Sequence, residues 1–96
     1  MSERPKATGD ILENTDRVVV TRWRIPVGAE MGWHKHALDY VVVYLTPAHL
    51  RVETTTGEEK PLDIAQGASY LRKAGTEHNI VNAGDAEVMF LEVELK

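Results

Sequence analysis

Apolar and polar residues alternate with a period of two along most of the chain, the pattern of strands with one buried face. Residues 17–25 put Val19, Thr21, Trp23 and Ile25 on one side and Arg22 and Arg24 on the other. Residues 40–45 form an unbroken β-branched and aromatic run, which suits a strand covered on both faces, and Pro47 ends it. Residues 48–55 alternate again, with Ala48, Leu50 and Val52 opposed to His49, Arg51 and Glu53. Gly57 marks a tight turn. Residues 60–64 then read as a strand held to a sheet edge by Pro61, which has no N–H to donate. Shorter runs follow at 68–72, 78–82 and 87–94, with turns at Gly67, Gly75 and residues 83–85. No segment carries a 3.6-residue period, and residues 10–15 are expected to make at most a helical turn. Many short strands separated by Gly and Pro predict an all-β sandwich or barrel.

A chain of 96 residues is one domain, spanning 1–96. Its polar beginning, residues 1–15, reads as a loose arm that could pair with another subunit. So short a chain buries a small core, and closing the sheet or pairing as a homodimer would protect its edges. With 15 acidic and 11 basic residues the net charge is −4, which argues against a nucleic-acid partner. There is no cysteine, so disulfides, thiolate metal sites and thiol catalysis are excluded. The start of the chain has no apolar signal region, and the longest apolar run, 41–45, is far too short to span a bilayer. A cytoplasmic protein with no membrane contact is the expectation.

What remains for metal chemistry is four histidines and the carboxylates. His34 and His36 are two apart, so on extended backbone both imidazoles point to one side. His78 comes 42 residues after His36, once the meander has doubled back. Three neutral imidazoles suit a divalent transition metal and leave positions open for water or substrate. His49 shares a side with Arg51 and Glu53 and is expected in solvent.

The glycines around these histidines sharpen the pattern. The chain reads Gly28-x5-His34-x-His36-x3-Tyr40-x6-Pro47, then Gly67-x5-Lys73-x-Gly75-x2-His78-x3-Asn82. These two stretches, 28–47 and 67–82, resemble the two motifs of the cupin family. The resemblance implies a small antiparallel jelly-roll β-barrel open at one end. It implies His34, His36 and His78 as metal ligands, Gly28, Gly67 and Gly75 as turn residues, and Asn82 as a hydrogen-bonding residue outside the ligand set. The implied ion is iron or zinc, ahead of nickel or manganese. Tyr40 stands where the family's first motif has a fourth ligand, Glu. It is left as a hydrogen bonder to bound water or substrate, a core aromatic, or a phenolate ligand. Asp39 and Glu77 are each one residue off and face away. Pro47 and Lys73 replace a Gly and a Pro of the motifs without removing a ligand.

Cupins with three histidines and no carboxylate include non-haem iron dioxygenases that cleave small diketones or oxidise thiols. The resemblance therefore implies a small-molecule substrate at a three-histidine centre, with Tyr40 orienting it. The alternative is a non-catalytic binding or accessory protein of a catabolic pathway. A structural dimer with a vestigial site is a third reading. Trp23, Trp33, Met31, Tyr70, Met89 and Phe90 are expected in the core, and Arg22 and Arg24 on a solvated strand face.

Overall fold

The structure is a computed structural model and describes residues 4–96. The period-two pattern becomes nine strands: β1 (Thr8–Asn14), β2 (Val18–Ile25), β3 (His34–Lys35), β4 (Asp39–Tyr44), β5 (Ala48–Thr54), β6 (Glu59–Ile64), β7 (Ser69–Arg72), β8 (Glu77–Asn82) and β9 (Val88–Leu95). Five pair in the order β1-β2-β9-β4-β7 and four in the order β3-β8-β5-β6. Every strand–strand pairing is antiparallel. One apolar core joins the two sheets: Ile25, Tyr40, Val42, Tyr44, Val88 and Phe90 from the first meet Ala48, Leu50 and Ile80 from the second. Full burial of each large aliphatic or aromatic side chain contributes on the order of 1.5–3 kcal/mol. Tyr44 buries its ring and still satisfies its hydroxyl, which lies 2.8 Å from that of Tyr70.

Register fixes which residues look inward. Val42 lies opposite both Tyr70 and Glu92, so these three share the inner face. Leu50 lies opposite Leu62 and Asn82, and Val52 opposite Lys60 and Ile80. Pro61 sits on β6, at the edge of its sheet, as its missing N–H requires. Three expectations fail. The 40–45 run is not covered on both faces: Tyr40, Val42 and Tyr44 are buried, whereas Val41 and Val43 are half-buried. β-branching favours a strand but does not say whether a second layer covers its back. Residues 10–15 make no helical turn, and the arm is not loose throughout. Residues 8–14 are an edge strand on β2, with a bulge between Ile11 and Glu13. Their polar sequence has no strand signal of its own, and the pairing is imposed by the exposed edge of β2.

Polar groups seal one end of the barrel and strap its side. At the sealed end, Asn82 is 1% exposed. Its Nδ2 donates to Ile25 O (2.8 Å) and Ala86 O (2.9 Å), and its Oδ1 accepts from Gly84 N (3.0 Å). On the side, residues 5–7 bond to the backbone of Glu30 through Ala7 N to Glu30 O (2.8 Å) and Glu30 N to Pro5 O (2.9 Å). Arg4 bridges Glu30 (2.8 Å) and Glu53 (3.1 Å), Lys6 pairs with Glu30, and Asn79 donates to both carboxylates. This strap holds the segment that leads into His34.

Candidate metal centre

β3 is only two residues long, and its partner is β8, with His34 directly opposite His78. The extended backbone continues through His36, whose N donates to Thr76 O (2.8 Å) and whose O accepts from Gly75 N (2.7 Å). Gly75 adopts φ 93° there, a conformation that favours glycine. The three imidazoles converge: ring centroids are 4.7 Å apart for His34–His36 and His34–His78, and 5.4 Å for His36–His78. One nitrogen from each lies within 4.8 Å of the others, near enough for one ion to be reached by all three.

The donor chemistry fits a metal. His34 Nδ1 lies 2.7 Å from Gly32 O, so it donates there and presents the Nε2 lone pair elsewhere. Gly32 is itself fixed, at φ 95°, by donating to Asn79 Oδ1 at 2.9 Å. Burial, reinforced by His34, holds His36 down to about 4. Burial, with His34, His36 and then Arg72, does the same for His78, also about 4. Both rings are therefore neutral at pH 7, the form that ligates.

Tyr40 lies flat against His36, 3.8 Å between centroids and 19° between planes. Burial, with Tyr70 and Glu92 nearby, pushes its phenol up to about 12, so it is a neutral hydrogen-bond donor at pH 7. Asp39 accepts from Ala74 N at 2.7 Å, and Glu77 is exposed. His49 is exposed and pairs with Asp63 at 2.9 Å. Trp33 corrects the core expectation: it is 52% exposed, on the bend before β3. Sequence composition made it a core candidate, but no strand phase governs that bend.

Two hollows open beside the triad. One, of about 200 Å³, is lined by His78, Tyr40, Tyr70 and Arg72 with Val52, Lys60, Pro61, Leu62 and Ile80. The other, of about 300 Å³, is lined by His34, His36, Trp23 and Glu92 with Met31, Lys35, Ala37 and Glu94. A larger one, about 410 Å³, lies at the sealed end around Pro47, His49 and Glu87, away from the imidazoles. Glu92 is the residue the motifs missed. It is 8% exposed and follows Val88 and Phe90 in phase on β9. Burial, then Glu94, pushes its carboxyl up to about 7, which the Trp23 indole N–H partly offsets. Geometry closes no hydrogen bond to that N–H, which is buried without a partner. An inward phase shared with two core residues was the available signal.

Comparison with known proteins agrees with this geometry. The Cupin_2 family (cupin domain) matches residues 21–94. The beta-alanine degradation protein BauB of Pseudomonas aeruginosa is 46% identical over 96 residues, covering all of both chains. The crystal structure of a cupin domain from Bordetella pertussis Tohama I is 43% identical, with a TM-score of 0.94, covering 100% of this chain and 99% of that one. The polyketide cyclase RemF from Streptomyces resistomycificus shares only the fold: 19% identity, TM-score 0.74, 98% of this chain and 70% of that one. The two-sheet antiparallel barrel, the paired motifs and these matches together make the chain a member of the cupin family.

Proposed function

We propose that the chain is a metal-binding cupin that holds a divalent ion, iron or zinc before nickel or manganese, on His34, His36 and His78. The convergence of the three imidazole nitrogens within 4.8 Å carries the reading. The ion supplies Lewis acidity or, as iron, redox chemistry toward a small organic molecule. The chain's own residues do the rest. Gly32 O fixes the His34 tautomer. Tyr40 backs the His36 ring and offers a neutral hydroxyl for orienting a ligand. The hollows leave room for a ligand on both sides of the triad, with Tyr40 in the wall of one, Met31 in the wall of the other and Trp33 in neither, which supports turnover, on this reading of a dioxygenase type, over a sealed structural site.

A non-catalytic or accessory role in catabolism is the second reading. The Pseudomonas relative, named for β-alanine degradation, favours such a pathway setting. A homodimer accords with the edge strand β1, where Ile11 and Leu12 are 64% and 42% exposed. Elemental analysis of untagged protein beside a His78→Ala variant tests the metal. About one ion per chain, lost in the variant, is expected, and equal content in both would overturn it. Oxygen uptake by the iron-loaded protein over diketones, thiols and hydroxy acids then separates the two readings. No helix among the described residues is long and apolar enough to cross a membrane.

A further inference from the structure

The hollow beside His78 has an uncommon lining for the inside of a barrel. On β7, Tyr70 and Arg72 share the inward phase, opposite Val42 and Tyr40. On β6, Lys60 shares the phase of Leu62 and Ile64, opposite Val52, Leu50 and Ala48. Two cations therefore share the inward register, one on each sheet, with their side chains exposed at the mouth of the same hollow. Neither has a carboxylate within salt-bridge distance among the described residues, although the chain's net charge is −4. The Arg72 guanidinium lies 4.0 Å above the Tyr70 ring, and its Nη1 makes one long bond to Leu71 O (3.4 Å), which leaves its other N–H groups without a side-chain partner. The walls between the cations and the imidazoles are apolar: Val52, Leu62 and Ile80.

A planar guanidinium and an ammonium group at a pocket mouth, neither with a carboxylate partner, recognise a carboxylate. The apolar strip behind them takes a short carbon chain, and His78 marks the far end. A hollow of about 200 Å³ has room for on the order of six or seven waters, hence for a few carbons and two polar groups. The opposite hollow sets the carboxyls of Glu92 and Glu94 against a single cation, Lys35, and is the less favourable side for an anion. We propose that Arg72 and Lys60 form a carboxylate subsite, so that the ligand of this barrel is a small hydroxy- or oxo-acid whose carboxylate sits at the mouth and whose second oxygen points to the imidazoles. This rests on reading the barrel mouth as a ligand site.

The test uses the full chain, metal-free and zinc-loaded, titrated with short hydroxy- and oxo-acids and with their neutral amides, followed by calorimetry and NMR shifts. The 3-hydroxybutanoate and 3-hydroxybutanamide pair serves as the reference. The acid is expected to bind at least about tenfold more tightly than its amide, the effect of losing a charged hydrogen bond. Arg72→Gln and Lys60→Gln are each expected to erase most of that preference while leaving the fold and metal content unchanged. Acid and amide binding alike, a preference that survives in the double variant, or no member of the panel binding would each overturn the proposal. The metal-free arm separates the two claims. A preference for the acid there stands on Arg72 and Lys60 even if the imidazoles take up no ion. A stoichiometric ion without any preference sinks only the carboxylate subsite.

Discussion

Both ends of the barrel bury polar side chains, and they do so in opposite ways. At the sealed end, Asn82 is enclosed and each of its polar atoms has a partner in Ile25, Ala86 or Gly84. At the open end, Glu92 is 8% exposed with its carboxyl pushed toward the neutral form, the Trp23 N–H is buried without a partner, and two imidazoles are held neutral by burial. A satisfied buried amide fixes a turn and specifies one packing. A buried donor without a partner and ionisable groups forced neutral by burial cost stability, and such groups gather where something other than the fold uses them. The contrast separates the polar residue that holds the barrel closed from those that face a ligand.

The largest expected effect is at the open end. His78→Ala should weaken metal binding by more than about 100-fold, beyond the loss typical of a supporting contact, with the folded barrel retained. Elemental analysis and circular dichroism check the two halves of that statement. At the sealed end, Asn82→Ala should do the reverse. It orphans three backbone groups and should cost about 2–4 kcal/mol in urea unfolding while the ion content of the folded fraction holds. If Asn82→Ala empties the site, the two ends are not independent and the comparison fails.

Glu92→Gln should help stability, and by an amount that depends on pH. The carboxyl's folded value of about 7 is raised from an ordinary 4.5, so the protonated form is the one the fold favours. Its favourable contribution is complete below about pH 4.5 and is lost as pH rises through 7. Relative to the wild type, the variant should therefore gain little at pH 4 and on the order of 3 kcal/mol at pH 8. Urea unfolding of the metal-free proteins across that range measures it, and a pH-independent difference would contradict the assignment. Tyr40→Phe should change least: ion content within about twofold and stability within about 1 kcal/mol, since the ring's packing on His36 survives. Ion loss on the scale of His78→Ala would instead make the phenol a ligand.

The parts of this arrangement that could be read in the sequence are those with a local signature. His34, His36 and His78 fall at motif spacings, Asn82 completes the second motif, and the strand alternation is visible from residue 17 onward. Pro61 marked its edge through a missing donor. The parts that could not be read depend on layers. A charged residue within a strand is taken as outward, so Glu92, Lys60 and Arg72 emerge only when their phase is compared with core residues on paired strands. β1 has no apolar phase and exists because β2 offers it an edge. Gly32 and Asn79 hold His34 through contacts 47 residues apart in sequence, which no local pattern encodes.

One imidazole hangs on the shortest described strand, β3, and a second just past its end; β3 is tied to the second sheet only through β8. The third lies on β8 itself, directly across from the first. An ion held by all three would therefore close a chain loop from residue 34 to residue 78, in a protein without cysteine to do so. It would be the cross-link of this barrel as well as its chemistry. Removing it is expected to free β3 and the bend at Trp33 before any other strand lets go, so amide exchange in residues 33–36 would report the ion's departure earlier than global unfolding does.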